Sequence, residues 1–243
     1  MFDWMGDVNG WVGLLTLALL EIVLGIDNII FISILAGKLP EADRSRARKL
    51  GLMLALVSRI ILLLGIGLVV KATHPLFTLP FPALHAESRE VSLRDLVLFL
   101  GGAFLIWKSV KEIHAKLEGK EEHGSGGKAP NLSAVLVQIM VMDVIFSLDS
   151  VITAVGMVDQ VTLMILAVMI AVGIMLVFST AIAEFVDRHP TVKMLALAFL
   201  ILIGFNLMAE GSGQEIPKGY TYAAMGFAIM VEFLNMRARK KAI

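Results

Sequence analysis

The feature that most constrains this chain is a series of apolar blocks, several of them long enough to cross a lipid bilayer. Helices cross the hydrocarbon core with about 20 apolar residues, each rising about 1.5 Å. Backbone groups in lipid must bond one another, which favours helices. The blocks therefore predict an all-α, polytopic membrane protein with seven transmembrane helices in a single membrane domain. They fall at residues 11–36, 50–71, 93–110, 131–157, 161–184, 192–210 and 220–236.

The composition agrees with a membrane environment and narrows the classes of partner. Of the 243 residues, 58% are hydrophobic and 17% are charged, whereas soluble domains average about 45–50% apolar and about 25% charged residues. The formal net charge is zero, so no nucleic-acid partner is expected. Cysteine is absent, which excludes disulfides and thiolate metal sites. The expected partner is the lipid bilayer, and association of the chain into a homo-oligomer is a further possibility.

The connections between blocks predict the orientation of the chain. Alternate connections together carry most of the Lys and Arg, and these all lie on one side, namely segments 38–49, 108–130 and 187–193 and the C-terminal tail. Cytoplasmic connections carry such an excess of positive charge. The N-terminus is therefore predicted outside and the C-terminus in the cytoplasm, with the protein in the cell inner membrane. The Gly-rich, mixed-charge segment 111–130 is interpreted as a flexible cytoplasmic linker.

One polar motif occurs twice inside these apolar blocks. The stretch "LEIVLGIDNIIFISI" (20–34) aligns with "MDVIFSLDSVITAVG" (142–156) at a constant offset. Three pairs of polar residues then coincide, namely Glu21 with Asp143, Asp27 with Asp149, and Asn28 with Ser150. Ionisable residues inside a membrane are costly and usually functional. A duplicated set is therefore interpreted as a functional site rather than as structural polar residues.

The spacing of the two motifs predicts an inverted repeat. The second motif helix is the third predicted helix after the first, and an odd offset makes the two run in opposite directions. The prediction is an inverted 3+3 repeat, with repeat 1 at 11–110, repeat 2 at 131–210 and one extra C-terminal helix at 220–236. Many transporters are built from such repeats, with the substrate near the bilayer midplane.

Helix geometry leaves two ways to bring the acids together. On an ideal helix, Asp27 lies about 120° from Glu21 around the axis, and Asp149 lies likewise from Asp143. Either the polar sector is broad and lines a cavity, or the helix unwinds near Gly25. Because glycine is costly inside a helix, the local distortion is favoured.

The side-chain types predict the substrate. Four carboxylates with an amide and a hydroxyl form an all-oxygen set, which suits hard divalent cations such as Mn²⁺, Mg²⁺ or Ca²⁺. The cation is expected as a transported substrate, and no permanently bound cofactor is expected. Four acids carry more charge than one such ion. Repulsion and desolvation favour protonating at least one acid when the ion leaves, which predicts coupling to protons.

Each of the other polar residues in the apolar blocks has two possible roles, one functional and one structural. Arg59 could neutralise a site carboxylate as an internal counter-ion, or it could pair elsewhere or extend to the interface. Asn206, Glu210, Glu232 and Asn235 could extend an ion path, although interhelical hydrogen bonds are favoured. The proline-rich segment between the second and third blocks is interpreted as a loop on the membrane surface.

The two acidic motifs closely resemble those of the TerC family of integral membrane proteins, and the resemblance covers nearly the whole chain. It also rests on "DRHPTVKMLALAFLILIGF" and "IPKGYTYAAMGFAIMVEFLN". The resemblance implies a multi-pass protein of the LysE-like transporter group, in which several bacterial relatives are associated with manganese efflux. It implies metal-binding acids at Glu21, Asp27, Asp143 and Asp149.

The sequence thus predicts a transporter that exports a divalent cation, most readily Mn²⁺, in exchange for protons. The alternative is a membrane scaffold or biogenesis factor whose intramembrane polar groups join helices. No enzymatic activity is expected, because a membrane hydrolase would need a nucleophile–base pair or an activated water, and the predicted helices carry no His.

Overall fold

The computed structural model describes residues 6–78, 90–118, 131–158, 160–214 and 216–241. Helices occupy all seven predicted apolar blocks. In chain order the elements are α1 (Val8–Ala36), α2 (Glu41–Leu64), the short α3 (Ile66–Lys71), β1 (Pro75–Thr78), β2 (Glu90–Ser92), α4 (Leu93–Leu117), α5 (Leu132–Met157), α6 (Val161–Arg188), α7 (Pro190–Gly211) and α8 (Lys218–Lys241).

Four of these helices are long and apolar enough to cross a membrane, counted over the described residues. They are α1, α6, α7 and the first 21 residues of α5. The helices α2, α4 and α8 have 24, 25 and 24 residues, which is long enough to span, but they are more polar. The chain is therefore a largely helical multi-pass membrane protein, and seven spans stay a prediction.

Side-chain caps define where several helices begin. Asp7 accepts a hydrogen bond from the amide of Asn9 at the start of α1, at 3.0 Å. Asn131 caps α5 through the amide of Ala134, at 2.8 Å. At the start of α4, Ser92 forms a reciprocal capping box with the third residue of the helix. These caps satisfy amides that have no partner within the helix, which stabilises each helix start.

The helices pack as two compact units. The first contains Met1–His74 and Gly127–Phe185, and the second contains Pro75–Gly126 and Val186–Ile243. The first unit holds α1, α2, α3, α5 and most of α6, whereas the second holds α4, α7 and α8. Each unit therefore combines helices from both predicted repeats. The repeat boundaries themselves stay a prediction.

Within the first unit, the two motif helices run in opposite directions. A short connection, residues 37–40, turns the chain back from α1 into α2. Along α2, Gly51 lies against Ile139 of α5, and two turns later Arg59 reaches Asp143. Residue numbers in α2 and α5 thus increase together, so these two helices are parallel. It follows that α1 and α5 are antiparallel, as an inverted repeat requires, although the full repeat stays a prediction.

The expected distortion near Gly25 is wrong, because α1 continues as a helix from Val8 to Ala36. The glycine instead gives room to a neighbouring helix. A Cβ atom at Gly25 would lie 2.5 Å from Sδ and 2.8 Å from Cε of Met175 on α6. Close packing against a thioether thus accounts for a glycine that the sequence suggested as a break.

Replacing Gly25 by alanine is expected to change the free energy of unfolding by less than about 1 kcal/mol, because the gain in helix propensity offsets the displacement of a flexible Met175 side chain. Thermal unfolding of the purified protein in detergent measures this. Gly173→Ala in α6 is the control, since nothing lies within 4 Å of an added Cβ there. Loss of folded Gly25→Ala protein would show that the glycine has a backbone role.

Within the second unit, α4 and α7 cross at a pair of glycines. A Cβ atom at Gly204 would lie 2.8 Å from the carbonyl oxygen of Gly102, so small residues let the two backbones approach closely, as in many membrane helix pairs. The expected interhelical hydrogen bonds are confirmed for three of the four polar residues. Asn206 donates to Thr221, Thr191 donates to Glu232, and Arg94 donates to Glu210.

The segment interpreted as a surface loop has short paired strands at its ends. Strand β1 pairs with β2 in an antiparallel register that places Phe77 opposite Val91 and Thr78 opposite Glu90. Aromatic and β-branched residues favour this extended pairing. Residues 79–89 of the loop lie outside the described part of the chain. In the described part of the chain, the fold is thus helical with one pair of short antiparallel strands.

Candidate functional site

A buried arginine joins the two motif helices within the first unit. Arg59 donates from Nη1 to Oε2 of Glu21 on α1, and from Nε and Nη2 to Oδ1 of Asp143 on α5. The exposed fractions of the three side chains are 3%, 6% and 5%, respectively. The structure thus brings together three of the seven residues that the sequence selected.

Asp143 is surrounded by hydrogen-bond donors. Its Oδ1 lies 3.3 Å from both Nε and Nη2 of Arg59. Its Oδ2 accepts from Oγ of Ser58 at 2.5 Å and from Oγ of Ser147 at 3.2 Å. An ionised aspartate offers about four acceptor positions. Four donor atoms of the protein contact this carboxylate, and the short Ser58 contact is typical of a hydroxyl bound to a carboxylate.

Glu21 has a different environment from that of its repeat partner. Among the described residues, Arg59 is its one hydrogen-bond partner. Glu21 and Arg59 also line a cavity of about 10 Å³, which is about the volume that one water molecule needs. The rest of the cavity wall is apolar and comes from α1, α2, α5 and α6. Asp143 does not line this cavity.

The charges of the three side chains explain why they are held together. Removing an ion from water costs several kcal/mol, and close opposite charges with further hydrogen bonds offset that cost. Arg59 supplies one positive charge to two carboxylates. If both acids are ionised, the cluster keeps one net negative charge, which favours the approach of a cation.

Two other predicted residues are buried on the same helices. Asn28 is 8% exposed and makes no hydrogen bond to the described acids. Ser150 is buried, and its Oγ donates to the backbone carbonyl of Ser147 at 3.3 Å. The side chains of Asp27 and Asp149 lie outside the described part of the structure, so their predicted place at the site is neither confirmed nor contradicted.

The described side chains hold no group of three His, Cys, Asp or Glu residues that could by themselves bind a metal ion. Among the residues predicted for the site, Glu21 and Asp143 carry carboxylate oxygens, and Asn28 and Ser150 carry neutral oxygen atoms. Oxygen donors of this kind suit Mn²⁺, Mg²⁺ or Ca²⁺ as a substrate. In the arrangement observed, Arg59 occupies the position between the two acids.

Sequence reasoning missed two hydroxyl groups of this cluster as site residues. Ser58 directly precedes Arg59, and Ser147 lies one helical turn after Asp143. The four-residue spacing of Ser147 placed it on the same helix face as Asp143, which was a usable signal. Ser58 has no such signal, because only the packing of α2 against α5 brings it to Oδ2.

The family of the chain follows from comparison with known sequences. Residues 7–242 match the family described as "Integral membrane protein TerC family". The chain belongs to the TerC family. The match covers both acidic motifs and all the described helices, so the predicted family is confirmed. No solved structure matches the chain of this TerC protein.

Several bacterial proteins are similar to this TerC protein along its whole length. It is 54% identical over 241 residues to the UPF0053 inner membrane protein YgdQ of Escherichia coli, covering 99% of this chain and 98% of that one. It is 52% identical to a UPF0053 protein of Haemophilus influenzae, covering 99% of each chain. It is 48% identical to the UPF0053 inner membrane protein YoaE of E. coli, of which it covers 45%.

Proposed function

We propose that this protein is an inner-membrane transporter that exports a divalent cation in exchange for protons. Mn²⁺ is the favoured substrate, and Mg²⁺ and Ca²⁺ are the alternatives. Inner-membrane location is supported by the names of the relatives YgdQ and YoaE, and the orientation is the one that the Lys and Arg distribution predicts. The site is formed by the duplicated polar set, namely Glu21, Asp27, Asn28, Asp143, Asp149 and Ser150.

One observation carries this proposal. Glu21 and Asp143 come from separate copies of the motif, yet both contact the same buried Arg59. Two acids brought to one point among apolar helices are energetically costly, and ionisable residues inside a membrane usually serve a function. Arg59 acts as the internal counter-ion of these acids and gives way when the cation arrives.

Charge balance supports the exchange for protons. Four acids and Arg59 carry three net negative charges when all are ionised. A divalent cation leaves one of these charges uncompensated. Binding of a proton offsets that remaining charge. Before the cation binds, the excess of negative charge is greater, and protons offset it too, because repulsion between like charges and desolvation disfavour several ionised acids together.

The test is cation transport by the purified protein in liposomes that enclose a fluorescent Mn²⁺ indicator, with a pH gradient imposed. Asp27→Asn and Asp149→Asn are expected to lower the transport rate by roughly 100-fold or more, because each removes a charged ligand that must be present in the transport cycle. Asp187→Asn, which changes a side chain that is 41% exposed, is the matched control. Competition with Mg²⁺, Ca²⁺ and Zn²⁺ then defines selectivity.

Three results would contradict parts of the proposal. Unchanged rates in both variants would show that the site is wrong. Absence of transport for every divalent cation would exclude the function. Transport that ignores the pH gradient would exclude the coupling to protons.

A scaffold role is the second candidate, and the same triad favours it. Arg59 already gives both described acids a partner, so the three side chains could serve to join α1, α2 and α5. In that case acid-to-amide changes would lower the amount of assembled protein in the membrane, and the purified wild-type protein would move no cation.

A further inference from the structure

The structure assigns different roles to Glu21 and Asp143, although the repeat makes them equivalent. We propose that Asp143 is a positioning residue that keeps Arg59 in place, and that Glu21 is the ligand that exchanges Arg59 for the cation. This inference rests on the proposed function, and it concerns how the transport site separates Arg59 from Glu21 when the cation binds.

Asp143 already has four described donor contacts, two at each carboxylate oxygen. Its four contacts come from two N–H groups of Arg59 and from the hydroxyl groups of Ser58 and Ser147. A cation that approached Asp143 would have to replace several of these hydrogen bonds at once. A buried carboxylate that loses such donors keeps an uncompensated charge, which strongly destabilises the folded protein.

Glu21, in contrast, is held at one point and lies next to free space. Its described partner is Nη1 of Arg59, and the cavity beside it is lined by Glu21 and Arg59 but not by Asp143. A side chain with one partner and an adjoining cavity can change its position at low cost. The cavity and the acid with a single described partner are therefore found together at Glu21.

The planar guanidinium allows one contact to open while the other persists. Arg59 uses Nε and Nη2 for Asp143 and the remaining nitrogen, Nη1, for Glu21. The fork geometry of arginine makes these two contacts separable. When Glu21 turns to a cation, Asp143 still compensates the charge of Arg59, so no buried charge is left alone.

The neighbouring helices produce this asymmetry. On the side of Asp143, α2 contributes Ser58 and Arg59. On the side of Glu21, α6 contributes the cavity-lining Met164, Ala167 and Val168, none of which donates a hydrogen bond from its side chain. The two motif helices thus resemble each other in sequence but pack against chemically different partners.

The test compares Mn²⁺ binding by calorimetry in Asp143→Asn, Glu21→Gln and the same changes combined with Arg59→Gln. Asp143→Asn should weaken binding by about tenfold, as changes behind a metal ligand do, because Arg59 then has only Glu21 to pair with. Adding Arg59→Gln should restore affinity to within about threefold of wild type, since Glu21 is released. Glu21→Gln should weaken binding by at least about tenfold, and Arg59→Gln should not rescue it, since the ligand itself is missing.

The two double variants have the same net charge, so each is the control of the other. Equal affinity of the two double variants, whether both rescued or both weak, would overturn the assignment while leaving the transporter function intact. A wild-type protein that binds no Mn²⁺, Mg²⁺ or Ca²⁺ would instead overturn the proposed function and this inference with it. Unfolding temperatures confirm that each variant is folded.

A second measurement does not depend on the folding of the double variants. Infrared difference spectra of protein with ¹³C-labelled glutamate, recorded on addition of Mn²⁺, should show a shifted carboxylate band that disappears in Glu21→Gln. The absence of a glutamate band in the wild-type spectrum would overturn the assignment. A band that persists unchanged in Glu21→Gln would do the same.

Discussion

Arg59→Gln is expected to lower the free energy of unfolding by about 3–5 kcal/mol, which is the usual cost of removing one partner from a buried ion pair. The change leaves Glu21 and Asp143 buried without their shared cation, and it removes the side chain that joins α2 to both motif helices. Denaturant or thermal unfolding of the purified protein in detergent measures the loss. We expect this to be the largest effect of any single charge-removing change in the first unit.

Two further variants separate charge from side-chain size. Arg46→Gln removes an exposed arginine from the same helix and is expected to change stability by less than about 0.5 kcal/mol. Glu21→Gln combined with Arg59→Gln should be more stable than Arg59→Gln alone, because it leaves one unpaired acid instead of two. If Arg59→Gln unfolds like the wild type, the ion pairs do not hold these helices together.

Gly102→Ala is expected to destabilise the second unit by about 2–3 kcal/mol, near the upper end of the cost of overpacking. The added Cβ would meet the carbonyl oxygen of Gly204 and would lie 2.9 Å from the backbone nitrogen of Met208. Neither atom can rotate away, so α4 and α7 would have to separate. This differs from Gly25, where the obstructing atoms belong to a flexible side chain.

The control for this change is another helical glycine in the same unit. Nothing lies within 4 Å of a Cβ added at Gly226 in α8, so Gly226→Ala should stabilise the protein by up to about 1 kcal/mol through helix propensity. The two substitutions are chemically identical and are expected to have opposite signs in unfolding experiments. Equal effects would show that the α4–α7 contact is not tight.

The proposed mechanism makes the cation and Arg59 competitors for Glu21. A site that keeps its own positive charge avoids leaving two acids uncompensated whenever the cation is released. The same arrangement lowers apparent affinity, because each binding event must displace Arg59. Release of the cation is therefore aided by the return of Arg59, which suits a transporter that must bind and release in each cycle.

Much of the architecture could be predicted from the sequence, because a segment that crosses a bilayer must be apolar, must be long enough to span it and must satisfy its own backbone hydrogen bonds. Lengths of apolar sequence predicted a helix in each of seven blocks, and each block is helical. The antiparallel course of α1 and α5 agrees with the two predicted spans that lie between them. The sequence was misleading at Gly25, since a glycine inside a helix can signal a break or a close neighbour, and only the position of Met175 distinguishes the two.

By itself, the sequence determined that this is a helical membrane protein of the TerC family and that its polar motif is duplicated, because composition, block length and repeats are local properties of the chain. Only the tertiary structure decided that Arg59 lies between Glu21 and Asp143, and that among the described residues Asp143 has four donors where Glu21 has one. The contacts of Arg59 with Glu21 and Asp143 join residues 38 and 84 positions apart, respectively. They depend on how α2 packs against two helices, which no spacing rule in a single sequence specifies.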